Sequence, residues 1–155
     1  MSVVDDRLGA LGLALPTASG PAGNYVPVLR VGNLVFVAGQ LTRRDGQVEF
    51  VGKLGRELDV AAGQAAARLC ALNILAQLKV ACDGDLDRIV RCVRLTAYVN
   101  CTPDFDAQPQ VANGASDLLV AVLGDAGRHV RTAVGANSLP GGVACEIEST
   151  FEVRP

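Results

Sequence analysis

The sequence predicts an α+β domain in which a mixed β-sheet carries two helices on one face. Three observations lead there. Residues 143–153 alternate, with Val143, Cys145, Ile147, Ser149, Phe151 and Val153 at odd positions and Glu146, Glu148 and Glu152 among the even ones, the period of a half-buried strand. Residues 60–82 are apolar on most helical faces, with Arg68 and Lys79 the only charges, which suits a helix packed on a sheet. Around them, short apolar runs punctuated by Gly, Asn, Asp and Pro give the order β-β-(β)-α-β-α-β-β.

Residues 1–24 form an extension, helical over 7–13 and then a Pro/Ser/Gly/Asn connector draped over the domain, which itself spans 25–155. Residues 26–31 and 34–38 are strands joined by Gly32-Asn33, because both turn residues tolerate positive φ. Arg43-Arg44-Asp45-Gly46 is a second turn, and 47–51 is a third strand ended by Gly52 and Gly55. Asp59 caps the long helix, since its side-chain oxygen can accept an N–H of the first turn, and Asp83-Gly84-Asp85 ends it. Ile89, Val93, Leu95, Ala97 and Val99 mark the buried face of a long strand. Its other face carries Arg88, Arg94, Thr96 and Tyr98, with Arg91 breaking the alternation. Pro103 and Pro109 bracket an aspartate-bearing turn, after which 111–123 is the second helix, ended near Gly124 and Gly127. Arg131 then opens a terminal hairpin whose two strands are joined through Leu139-Pro140-Gly141-Gly142.

Half of the 155 residues are hydrophobic, enough for one domain to fold around one core. A formal charge of −2, four Phe, two Tyr and no Trp provide neither a field for polyphosphate nor a ladder for stacking bases, so no nucleic-acid partner is expected. Cys70, Cys82, Cys92, Cys101 and Cys145 form no C-x-x-C pair and are odd in number, so they read as reduced core residues of a cytoplasmic protein. The first residues have no basic, apolar leader pattern. Gln64, Arg68, Asn73, Gln77 and Lys79 interrupt the longest apolar region, which is therefore no membrane span. No His/Cys/Asp cluster has metal-ligand spacing, and neither a metal nor a cofactor is expected. His129, the sole histidine, reads as a solvated turn residue rather than a general base.

Arg131 is the candidate of most chemical interest. It opens a run of small residues, Thr132-Ala133-Val134-Gly135-Ala136, where a fixed guanidinium requires an anionic partner or a water-filled cleft. Its planar fork suits a small carboxylate, held by two parallel charge-assisted hydrogen bonds. The alternative is a structural arginine paired with a carboxylate of its own subunit.

The spacing Arg131, Leu139-Pro140, Glu146-Ile147-Glu148 resembles the C-terminal signature of the RidA/YjgF family, the reactive intermediate deaminases also described as perchloric-acid-soluble proteins. Tyr25 before the first strand, Gly39-Gln40, Gln64 and Asn73 on the first long helix, Asp87-Arg88-Ile89-Val90 and Asn113 agree with it, so the resemblance runs from Tyr25 to Val153. The chain departs at Ala38, where the family motif has serine, and at Ala133, where many members have cysteine. The extension and a longer segment over 43–59 mark a longer branch.

The resemblance implies a chorismate-mutase-like fold, a homotrimer whose sheets form a central barrel, and clefts between subunits that take a small carboxylate substrate. It implies hydrolysis of enamines and imines such as 2-aminoacrylate to 2-oxo acids and ammonia, without a cofactor. Carried over residue by residue, Arg131 holds the substrate carboxylate and Glu146 orients the attacking water. Tyr25 lines the pocket from an adjacent subunit, Asn113 and the Gly39 backbone add polar contacts, and Ala133 occupies the family's cysteine position. Two other readings stay open: a non-catalytic carboxylate-binding regulatory trimer, and an endoribonuclease or translation inhibitor, a label attached to parts of the family.

Overall fold

The computed structural model describes residues 2–155. Helix α1 (Val3–Ala10) starts four residues before the predicted one, because the Ser2 side chain accepts the Asp5 N–H and two aspartates occupy the first turn, favourable chemistry for a helix N-terminus. Val4 and Leu8 are buried where α1 packs on the second of the large helices. The extension thus adds to the core before its connector runs on to residue 24.

Strands β1 (Val28–Val31) and β2 (Leu34–Gln40) pair in the predicted hairpin, Val31 opposite Leu34. Only Gly32 of the turn takes a positive φ, +61°. The next turn, at Asp45 and Gly46 with φ of 51° and 78°, joins β3 (Arg43–Arg44) to β4 (Gln47–Val48). Here the expected third strand of the main sheet is corrected: β3 and β4 form a separate two-stranded ribbon, since the chain leaves β4 through Phe50 and Gly52 at positive φ and cannot continue as a sheet strand.

Helix α2 (Val60–Ala81) is capped by Asp59, whose side chain accepts the Ala62 N–H at 2.8 Å. Its buried polar residues hold loops in place. Asn73 donates to the carbonyls of Leu41, Arg43 and Leu69, and Gln77 donates to that of Ser19. Helix α3 (Gln108–Leu123) begins three residues earlier than predicted, with Pro109 inside its first turn, where its missing N–H costs nothing. A methyl group added at Gly114 would lie 2.0 Å from the Gln64 carbonyl oxygen, so α2 and α3 meet almost backbone to backbone.

Strand β5 (Ile89–Asn100) contains register shifts between Ile89 and Arg91 and between Cys92 and Arg94. These bulges explain the break at Arg91 and correct the predicted inner face: Cys92 is fully buried and Val93 only half-buried, because an extra residue exchanges the two faces of a strand.

The predicted terminal hairpin does not form. Strands β6 (Val130–Ala136) and β7 (Cys145–Val153) are not neighbours, for the sheet order is β1-β2-β7-β5-β6. β7 inserts antiparallel between β2 and β5, while β6 runs parallel to β5 at the edge, a pairing made possible by the α3 crossover. The joining segment crosses the end of β5, with Gly141 and Gly142 at φ of 66° and 69°. The buried Asn100 side chain donates to the Val143 carbonyl at 3.2 Å and the Asn100 N–H to that of Ala144 at 2.9 Å. All odd positions of β7 are buried, as its alternation predicts.

The architecture is therefore a mixed sheet with α2 and α3 on one face. Phe151, Ile147, Leu95, Val35, Ile74 and Leu119 fill the core between the layers. Among the described residues no helix covers the other sheet face.

Candidate functional site

Strand register separates the candidate residues into two groups. Arg131 lies opposite Leu95, which is buried beneath the helices, so Arg131 and, two residues on, Ala133 project to the helix side of the sheet edge. There Arg131 Nη1 donates to Asn113 Oδ1 at 2.8 Å and to Ser116 Oγ at 3.1 Å, both on α3. Arg131 forms no ion pair among the described residues, which removes the reading of a structural arginine paired within its own chain.

Ser116 Oγ lies 2.9 Å from His129 Nε2, and His129 Nδ1 lies 2.6 Å from the Gly127 carbonyl. A carbonyl only accepts, so Nδ1 carries the proton, Nε2 accepts the Ser116 hydroxyl, and the hydroxyl oxygen accepts from Arg131. The solvated-turn expectation for His129 is thus corrected: the ring is half-buried and stands one hydroxyl from the guanidinium. Burial, and secondarily the charge of Arg131, pulls its pKa below the usual 6.5. Stability from the neutral ring is present above the ordinary value and is lost as pH falls through the lowered one. The stability lost between pH 7.5 and pH 5 is expected to shrink in His129→Gln, as measured by urea unfolding at both pH values. An unchanged loss would mean the ring titrates alike in both states.

The second group is on the opposite, uncovered face. Glu146 lies opposite Tyr98 and Glu148 opposite Thr96, and the Tyr98 hydroxyl donates to Glu148 Oε1 at 2.9 Å. β2 shifts register between Val37 and Gln40, which brings the Gly39 backbone against Glu146. A methyl group on Gly39 would sit 2.4 Å from Glu146 Oε1, so a side chain here would push the Glu146 carboxylate aside. Burial first, and the charge of Glu148 second, raises the Glu146 pKa above its ordinary 4.5. Its ionised form therefore costs stability as pH rises through the raised value. Glu146→Gln is expected to increase Tm at pH 7.5 by about 1–3 °C and to change it less at pH 4.5, read by thermal melts at both.

Tyr25 precedes β1 on the same side and is 52% exposed. With Leu29, Phe36, Arg94, Thr96 and Glu148 it borders an open cavity of about 650 Å³ on the uncovered face. The structure thus joins Arg131, Asn113 and Ala133 in one half, and Gly39 and Glu146 in another with Tyr25 on the same side. Within one chain β5 and the thickness of the sheet lie between Arg131 and Glu146. Ser116 went unnoticed in the sequence although it follows Asn113 at i+3, on the same helical face.

Comparison with known proteins agrees with this architecture. Residues 5–151 match the family described as YjgF/chorismate mutase-like, a description that also carries an endoribonuclease label. Protein TCP17 of Trypanosoma cruzi is 47% identical over 149 residues, 96% of this chain and 92% of that protein. The crystal structure of Atu1372 from Agrobacterium tumefaciens, of unknown function, is 47% identical with a TM-score of 0.93, covering 98% of this chain and 93% of that one. RidA from an Antarctic Psychrobacter is 26% identical with a TM-score of 0.61, covering 88% and 94%. Signature residues, strand order and these similarities lead to one conclusion: the chain belongs to the RidA/YjgF family.

Proposed function

We propose that the protein is a cofactor-independent hydrolytic deaminase of enamine and imine intermediates such as 2-aminoacrylate, releasing 2-oxo acids and ammonia. The observation that carries this reading is the state of Arg131. One nitrogen is held by two neutral acceptors, no carboxylate among the described residues neutralises it, and the rest of the fork remains for a substrate carboxylate.

Glu146 supplies the second requirement. A carboxylate raised by burial is a better base than one in water. It takes a proton from a water molecule as the oxygen attacks the imine carbon and delivers that proton to the imine nitrogen. The resulting amino alcohol collapses to the carbonyl and expels ammonia. Such imines hydrolyse unaided in water, so orientation and one proton transfer suffice.

Because the two halves sit on opposite faces, the reaction requires a second copy of the chain. Arg131 and Asn113 of one copy then face Gly39, Glu146 and Tyr25 of the next. The exposed Leu29, Val31, Leu34, Phe36, Val130 and Val134 favour such association through the uncovered sheet, since a contiguous apolar face of this kind marks an interface. We assign a homotrimer, in keeping with the family resemblance, in a reducing cytosol that suits five buried free cysteines. No helix of the described residues is long and apolar enough to cross a membrane.

The test is to generate 2-aminoacrylate and 2-iminobutanoate with a serine/threonine dehydratase and follow 2-oxo acid release against semicarbazide trapping. Acceleration by the wild type supports the deaminase, with Glu146→Gln slower by about 10²-fold or more. Tight binding of 2-oxo acids without acceleration would favour a regulatory carboxylate-binding trimer, a reading supported by the inert Ala133 beside Arg131. An endoribonuclease activity is disfavoured by the charge of −2 and the glutamates on the uncovered face.

A further inference from the structure

The extension and the segment after β2 meet at one place. Residues 19–22, with Tyr25 close behind, lie over Gly39, Gln40 and Leu41 and enclose a cavity of about 50 Å³ whose wall includes Arg43. A buried water needs about 10–15 Å³ of such space, so the cavity takes a group of about three or four heavy atoms. The lid is anchored, because Gln77 from α2 binds the Ser19 carbonyl at 2.7 Å. The wall is anchored too, with Asn73 bound to the Arg43 carbonyl at 2.8 Å.

Arg43 itself is unsatisfied. Its Nε is buried without a hydrogen-bond partner, and its guanidinium forms no ion pair or hydrogen bond among the described residues. The neighbouring Arg44 pairs with Glu49, and Asp45, which forms no ion pair with Arg43, borders an adjoining cavity that Arg43, Ser19 and Asn73 also line. A guanidinium nitrogen removed from water without a partner is costly; the other two nitrogens, also without a partner among the described residues but not sealed from solvent, remain free to donate to a planar acceptor in the cavity. Gly39 links this cavity to the chemistry, since the same residue abuts the Glu146 carboxylate.

We infer that Arg43, roofed by residues 19–22, is a subsite for a second carboxylate at the far end of the substrate, making the preferred imines those of acidic amino acids. This rests on the deaminase reading for the imine, but its binding element stands apart from turnover. One carboxylate is held by Arg131 of the neighbouring copy, the reacting carbon lies beside Gly39 and Glu146, and the other carboxylate reaches Arg43. The extension, in this assignment, selects substrate.

The experiment is calorimetric titration of the full chain with 2-oxoglutarate, a dicarboxylate, and 2-oxobutanoate, a monocarboxylate. It is repeated with Arg43→Met and Arg43→Lys. Wild type is expected to bind the dicarboxylate at least about tenfold more tightly. Arg43→Met should bring the two within about twofold while leaving the Kd for 2-oxobutanoate unchanged, and Arg43→Lys should restore part of the preference. Equal affinities in wild type, or a preference that survives Arg43→Met, would overturn the subsite. The corresponding imines are then assayed for deamination. A dicarboxylate preference in binding with neither imine hydrolysed would overturn the deaminase reading alone, whereas hydrolysis of both imines with no dependence on Arg43 would overturn the subsite alone.

Discussion

Replacing Arg131 by alanine is expected to lower kcat/KM for 2-iminobutanoate by about 10²–10⁴-fold, because two charge-assisted hydrogen bonds of about 1.5–3 kcal/mol each disappear. The fold should survive. Arg131 is only part-buried and contributes two hydrogen bonds to Asn113 and Ser116, whose oxygens water can reach once the guanidinium is gone. Ser116 also retains His129. Circular dichroism should match wild type and Tm should fall by a few degrees at most, for a loss of about 1–2 kcal/mol. Arg131→Lys separates charge from geometry, since an ammonium offers a point charge without the fork. It should recover some binding and little of kcat. Turnover by Arg131→Ala at the wild-type rate would remove the carboxylate clamp.

Gly114→Ala is expected to produce the largest loss of stability of any single methyl group. The added carbon would lie 2.0, 2.7 and 2.8 Å from the Gln64 O, C and Cα. All three are backbone atoms of α2, so no side chain can rotate away and the helices must separate. Overpacking of this kind costs about 1–3 kcal/mol and more where the backbone is rigid, against a gain of at most about 1 kcal/mol from alanine's helix propensity. A fall in Tm of about 5–10 °C follows. Asn113 and Ser116 ride on the same turn of α3, so activity should decline with the displacement of the Arg131 partners. Gly9→Ala in α1 is the control. Nothing lies within 4 Å of the added carbon, and that variant should be neutral or slightly stabilised. Equal melting temperatures for wild type and Gly114→Ala would mean that the helices are not held at this distance.

Much of the fold was legible because it is written in local periodicity. The alternation of β7, the broad apolar face of α2, the Asp59 cap and the Gly32-Asn33 turn each depend on residues a few positions apart, and all appear in the structure. The errors fall where distance in the sequence is large. β6 and β7 are consecutive and their sequences suit a hairpin, yet β7 gains two hydrogen-bonded edges by entering between β2 and β5, more than a hairpin at the sheet edge offers. Cys92 and Val93 exchanged faces because a bulge is invisible to a strict period of two. The β3–β4 ribbon carries every signal of a strand, but the positive φ at Phe50 and Gly52 turns the chain away before it can join the main sheet.

The candidate site divides in the same way. Arg131, Asn113, Glu146, Gly39 and Tyr25 were identifiable from residue type, spacing and family resemblance, but the sequence could not say that they form two groups on opposite faces. Side-chain facing in β6 and β7 is set by register against β5, and register is a property of pairing rather than of either strand. His129 reads as solvated because it ends a Gly127-Arg128 loop. Only the approach of α3 brings Ser116 beneath it.

Short-range periodicity and residue chemistry were enough for the element types, the family and Arg131 as the candidate for holding a carboxylate. The tertiary structure alone decided the strand order, the separation of Arg131 from Glu146, the Ser116–His129 support and the unpartnered Arg43 beneath the extension. Those follow from which edges pair and which backbones pack, energies that are shared among distant residues and belong to no single stretch of the chain.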